Sequence, residues 1–390
     1  MFSRRTEHDP APNDLTRAVR ERRTRGLPVW DLTDANPTGL GLPLLDETLL
    51  AQPAARRYEP DALGHRVAKE SIVAEYAKAG IAVDPERVVV TASTSEAYGY
   101  LFKILADPGD TILIPAPSYP LFDFLARGES IGTTSYPLLF DGHGYHYEAD
   151  LALHALAQGS PRARAVIVVS PNHPTGSQVG SDFVSALHAA QLPVIVDEVF
   201  GRFDLDEPAP LGFGPSAAAG LTFRLCGLSK QLGLPQVKLS WMIVEGPETY
   251  ARAALDRLEL VADTFLSVGS PVQHALPALL ARGAAFRGET VERTRQNLEV
   301  LRQALAGTAM TVLRAPAGWT AVVRVSAAAG DERLAVELLE DAGVLVHPGS
   351  FFGFGFAALV ISLLPEPDTF ASAALRLAAF ARGEASSLAP

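Results

Sequence analysis

The sequence predicts an α/β fold: a parallel sheet covered on both faces, followed by a second, smaller α/β lobe. Three observations lead there. Short continuous apolar runs alternate with helical patterns between 87 and 244, which is how strands buried on both faces of a parallel sheet read. Beyond Val244 the chain changes to long Ala/Arg/Leu helices and then to strands near 311–313, 320–325 and 359–363. A length of 390 residues with 48% apolar side chains exceeds one ordinary core and fills a large one.

Residues 1–12 are polar and expected to fray. Asp14 is placed to cap a helix over 15–25 that carries five arginines. No aromatic residues interleave with them, so a solvated face is the reading, not an RNA-binding arm. Val29–Leu32 reads as a strand and Asn36-Pro37-Thr38-Gly39 as a turn. A helix is expected over 66–79, then a strand over 87–91 that runs into Ser93-Thr94-Ser95 and a helix over 97–105. Strands over 111–114, 165–170, 193–196, 222–225 and 239–244 follow, with a helix over 182–190 among them. Helices are then expected over 247–281, 287–305, 331–342 and 368–382.

Net charge of −11 and a pI near 5.3 argue against nucleic acid or an anionic membrane as partner. The apolar runs are far too short to span a bilayer. The charged N-terminus has no apolar run behind it, so no signal peptide is expected. A single cysteine, Cys226, fits a reducing compartment, and the nine histidines show no ligand spacing. The expectation is a cytoplasmic protein without a metal.

In open α/β sheets ligands sit at the carboxyl ends of strands, so the polar turns after strands are the candidate site. Cys226 to Trp241 stands out. The chain has five lysines against 28 arginines, and two of the five, Lys230 and Lys238, lie here. Arginine keeps its proton; a desolvated lysine can lose one and form an imine. Ser229-Lys230 therefore reads either as a polar turn or as a lysine kept for covalent chemistry. Ser93-Thr94-Ser95 opens a helix and reads as an ordinary cap or as a phosphate cradle of N–H groups and hydroxyls. Lys238 is a surface lysine or a second cation for the same phosphate. Asp197 ends an apolar strand; it caps a turn or pairs with a protonated pyridine nitrogen. Tyr119 is core or a stacking ring. Together these parts meet the needs of pyridoxal 5′-phosphate.

From Asp31 to Ala381 the chain resembles the fold-type I pyridoxal-phosphate aminotransferases, the class I/II superfamily. The marks run in the family's order: Asn36 to Gly39, Tyr58 with Pro60 and Gly64, Ser93 to Ala97, Pro117 to Pro120, Ser170 to Gly176, Asp197-Glu198, Ser229-Lys230 with Gly233 and Lys238, and His347 to Gly353. The resemblance implies a seven-stranded sheet in a large domain over 46–285. It also implies a small domain from both chain ends, 1–45 and 286–390. It implies Lys230 as the Schiff-base lysine. Ser93, Thr94, Ser95, Ser229 and Lys238 would hold the phosphate, and Tyr119, His173 and Asp197 the ring. Asn36 is implied on the substrate side. Tyr58 would reach the neighbouring subunit's phosphate, which implies a homodimer with shared sites.

Several positions depart from the family. His173 stands for an asparagine and Phe200 for a tyrosine, both usual partners of the ring oxygen. Gly227 stands for a phosphate-binding serine and Lys238 for an arginine. Val360 stands where the family arginine clamps the substrate carboxylate. Arg324 is the first candidate substitute and Arg202 a weaker one. An aminotransferase exchanging nitrogen between an amino acid or amine and a keto acceptor is the expectation. A lyase, decarboxylase or cyclising enzyme on an unusual amino substrate is the alternative. A cofactor-holding regulator would need a DNA-binding domain in front, and a plain nucleotide binder a Gly-rich loop after the first strand.

Overall fold

A computed structural model describes residues 4–6, 11–36, 59–159, 163–206, 219–326 and 330–384. The chain begins with α1 (Asp14–Thr24), β1 (Trp30–Asp31), α2 (Arg66–Ala77), β2 (Val88–Thr91), α3 (Thr94–Leu105) and β3 (Thr111–Ala116). It continues through α4 (Phe122–Gly128), β4 (Gly132–Pro137), β5 (Leu139–Phe140), β6 (Tyr145–His146), α5 (Ala149–Gly159), β7 (Ala163–Val169) and α6 (Ser181–Ala189). Then come β8 (Val194–Asp197), β9 (Thr222–Gly227), α7 (Leu228–Gln231), β10 (Ser240–Glu245), α8 (Glu248–Asp263) and α9 (Ser270–Leu305). The last part holds β11 (Thr311–Val312), β12 (Thr320–Arg324), α10 (Asp331–Ala342), β13 (Val344–Leu345), β14 (His347–Pro348), β15 (Ala358–Ser362) and α11 (Pro367–Ala381).

Seven strands form the large sheet in the order β2-β10-β9-β8-β7-β3-β4. All pairings are parallel except those of β10, which is antiparallel to both β2 and β9. Strands β2, β8 and β9 are buried at every residue, because helices cover both faces. Alternate residues feed opposite cores. Val89, Ile167, Ile195, Leu225 and Met242 pack under α3, α4 and α8. Val166, Val168, Val194 and Val196 pack under α5 and α6, and Val88, Val90 and Trp241 under α2 and the first part of α9.

The smaller lobe is a four-stranded sheet, β11-β12-β15-β14, backed by α10 and α11. Leu15 of α1 and Leu32 belong to its apolar core, and β1 pairs in parallel with β13. Both chain ends therefore build it.

Three expectations change in detail, and several elements were not anticipated. Asn13, not Asp14, caps α1: its Oδ1 accepts from Thr16 N at 2.8 Å. The helix expected to start at Ala97 starts at Thr94. The shorter elements α4, α5, β4 and the β5–β6 hairpin went unread. The break expected between 281 and 287 lies instead at 264–269, and α9 runs unbroken for 36 residues. Gly283 and Gly288 suggest a break by composition, yet Gly283 only makes room: a Cβ there would come within 2.1 Å of Leu232 Cδ2. Packing overrides propensity. The domain division expected at 285/286 falls within this helix, and that at 45/46 lies outside the described residues. No described helix is long and apolar enough to cross a membrane.

Candidate active site

The large sheet brings the sequence-distant turns to one edge. Register fixes this: Val169 lies opposite Asp197, Asp197 opposite Leu225, and Ser240 opposite both Gly227 and Thr91. A cavity of about 240 Å³ opens there, lined by Thr94, Ser95, Tyr119, His173, Asp197, Ser229 and Lys230, among others. The smaller lobe closes on it: Ser118 N donates to Phe352 O at 3.0 Å, and Thr320 Oγ1 to Pro174 O at 2.9 Å.

Lys230 sits on α7, the single helical turn that follows β9. Its Nζ lies 5.9 Å from the centre of the Phe200 ring and 5.5 Å from that of Trp319. Burial lowers its pKa from the usual lysine value, and the charge of Asp197 works the other way. Desolvation wins, so the neutral amine is easier to reach than on a surface lysine.

Asp197 ends β8 and is 7% exposed. Tyr98 Oη donates to its Oδ2 at 2.9 Å and Val199 N to its Oδ1 at 3.0 Å. Burial still pushes its pKa up to about 6. A carboxylate held this way is short of a cation. Glu198, one residue on, faces the opposite side of the strand and pairs with Arg224 at 3.3 Å.

His173 stacks on Phe200 at 5.6 Å and 23°, and meets Tyr119 edge-on at 6.2 Å. Its ring nitrogens make no hydrogen bond with a described residue. Burial, followed by the charges of Lys230 and His347, pushes its pKa down to about 3. A histidine held neutral in the fold loses stability as pH falls from about 6.5 to about 3, because the unfolded chain takes up the proton first. Asp197 runs the other way: its contribution shrinks as pH rises from 3.8 to about 6. His173 keeps some surface open to the cavity, which screens its shift. In urea unfolding, His173→Gln should flatten the acid-side loss by on the order of 2 kcal/mol. An unchanged pH slope would contradict a neutral buried imidazole.

Not every expected residue joins the cavity. Ser93 Oγ accepts from Glu96 N at 3.1 Å while Glu96 Oε2 accepts from Ala92 N at 2.7 Å, so Ser93 caps α3, and it is not among the lining residues. Lys238 is exposed in a left-handed turn and is not among the lining residues. Arg324 lies over Phe356 and Phe140, at 5.4 and 6.0 Å. Arg202 is committed to Glu75 together with Arg287. Asn36 is exposed beside the lining residue Ala35. Tyr58 lies outside the described residues. Val360 is buried opposite Val322 and His347.

Tyr98, Phe122, Val199 and Ser240 line the cavity and went unread. Tyr98 was legible in principle: it lies one helical turn after Thr94, on the same face. Among the described lining residues Lys230 alone carries a formal positive charge. No group of three His, Cys, Asp or Glu able to hold a metal occurs among the described residues.

Fold and cavity together define the class: a two-lobed α/β protein with a desolvated lysine and a buried carboxylate at the carboxyl edge of its sheet. The chain belongs to the class I and II aminotransferases, whose family pattern matches residues 42–383. It is 27% identical over 271 residues to glutamate-pyruvate aminotransferase AlaA of Escherichia coli (strain K12), covering 65% of this chain and 64% of that protein. The match thus spans under two thirds of that relative. It is 32% identical over 293 residues to 1-aminocyclopropane-1-carboxylate synthase 5 of Oryza sativa subsp. japonica, covering 68% of this chain and 54% of that one. The solved structure of alanine aminotransferase from Pyrococcus furiosus superposes with a TM-score of 0.86 at 23% identity, over 98% of this chain and 100% of that one.

Proposed function

We propose that the protein is a pyridoxal-phosphate-dependent aminotransferase that moves an amino group between an amino acid or amine and a keto acceptor. One observation carries the reading: desolvated Lys230 and buried, cation-poor Asp197 share one cavity. The residues fit pyridoxal 5′-phosphate, since that carboxylate lacks the positive charge a protonated pyridine nitrogen would bring. When bound, the cofactor supplies an aldehyde for lysine and an electron sink for the substrate carbon.

The chain's own groups supply the rest. Lys230 Nζ is the nucleophile and then the base that carries the proton. Asp197, oriented by Tyr98 Oη and Val199 N, holds the ring nitrogen charged. The rings of Tyr119 and His173 wall the cavity, and a His173 nitrogen is free to donate to the ring oxygen. Thr94, Ser95 and Ser229, with the first-turn N–H groups of α3, hold the phosphate.

A homodimer working in the cytoplasm is part of this reading. The exposed apolar side chains Leu260, Phe265 and Leu266 around the end of α8 support an interface. Sedimentation should give twice the chain mass.

Alanine and glutamate, with pyruvate as acceptor, head the donor panel because relatives are named for them. Among the described residues Lys230 is the one formal cation lining the cavity, so amines without a carboxylate belong in it too. Amino product should appear one-for-one with keto product. Keto product formed without an acceptor would point to a lyase instead.

A further inference from the structure

Strands β9 and β10 run antiparallel, and their register sets Gly227 directly opposite Ser240. Both line the cavity that holds Lys230. Ser240 is 2% exposed, and its hydroxyl makes no hydrogen bond among the described residues. Facing the cavity with no protein partner, that hydroxyl is available to whatever the cavity holds.

Gly227 explains how that hydroxyl reaches the cavity. Its backbone is extended, with φ −179°, so any residue could adopt it and glycine is not there for a left-handed turn. A Cβ on Gly227 would come within 2.1 Å of Ser240 Oγ and 2.8 Å of Ser240 Cβ. Glycine therefore supplies room, and Ser240 Oγ fills it. Thr94, Ser95 and Ser229 bring three more hydroxyls to the same cavity, and none of their side chains bonds a described residue. With the start of α3, these groups form a donor-rich end suited to a phosphate.

We propose that Ser240 donates a hydrogen bond to the cofactor phosphate, from the strand opposite the one on which the family resemblance places a serine, and that Gly227 exists to let it through. This rests on the cofactor reading above.

The test titrates unliganded wild type, Ser240→Ala, Ser240→Gly and the double variant Gly227→Ser/Ser240→Gly with pyridoxal 5′-phosphate and with pyridoxal, which lacks the phosphate. Absorbance of the protein-bound ligand gives each affinity, and melting of the unliganded proteins checks folding. Ser240→Ala should bind pyridoxal 5′-phosphate about tenfold or more weaker and pyridoxal as well as wild type does. The double variant should regain affinity over Ser240→Gly, because its hydroxyl returns from β9. Equal losses for both ligands, or no loss for either, would overturn the role of Ser240 while leaving the cofactor reading in place. If wild type binds neither ligand, the cofactor reading falls and the role of Ser240 falls with it.

Discussion

Lys230→Ala is expected to abolish the covalent adduct that borohydride traps between the protein and pyridoxal 5′-phosphate, and to cut turnover by at least about a thousandfold. Positioned acid–base catalysis alone is worth about 10²–10⁴, and this side chain also provides the nucleophile. Lys230→Arg should fail just as completely: its guanidinium keeps the charge but neither attacks an aldehyde nor releases a proton. The other lysines cannot substitute. Lys238, the nearest in sequence, is exposed and does not line the cavity. Mass spectrometry after borohydride reduction should locate the label at Lys230. A label elsewhere, or wild-type turnover in Lys230→Ala, would sink the assignment.

Asp197→Asn is expected to separate activity from stability. Turnover should fall by roughly thirtyfold to several thousandfold, the range for removing one partner of a buried charge pair. The unliganded protein should become more stable at pH 8, by on the order of 1–2 kcal/mol. The sign follows from the folded pKa near 6 against an ordinary 3.8. Above pH 6 the fold holds a charge that the unfolded chain carries at lower cost; below 3.8 both states are neutral and the penalty is gone. Asparagine removes that charge. Urea midpoints at pH 8 and pH 5 measure it: the gain should be full at pH 8 and smaller at pH 5. Tyr98→Phe, which removes the hydroxyl at 2.9 Å from Oδ2, should lower turnover in the same direction with a smaller effect. An Asp197→Asn protein with lowered stability and intact turnover would mean the carboxylate is structural.

The strand ends were legible because a parallel sheet obeys one rule: buried strands stop where polar turns begin, and those turns share an edge. Val194-Ile195-Val196 followed by Asp197 states this in four letters. A side chain's duty was harder to read where it depends on which neighbour, near or distant in sequence, claims it. Ser93 looked like a phosphate ligand, but the Glu96 that claims it as a cap lay in the same motif and went unused. Lys238 carries the charge that the family position asks for, yet the left-handed turn at 238 leaves it outside the cavity. Arg324 was placed on its strand, but its aromatic bed comes from Phe140, over 180 residues earlier, and from Phe356 in the bend before β15. Ser240 was invisible for the same reason. Only the β9–β10 register shows that a glycine at 227 and a serine at 240 are one decision.

The 36-residue helix α9, about 54 Å long, has its own consequence. Leu276, Leu279 and Leu280 near one end lie in the core beneath β10, and Leu298, Leu301 and Leu305 near the other lie in the core of the smaller lobe. One helix is thus anchored in both cores, with Pro277 inside its first half leaving one carbonyl of the ladder without its donor. Near its midpoint Gly283 rests against Leu232, two residues past the reactive amine. A side chain at 283 would therefore press on Leu232, at the end of the turn that carries Lys230.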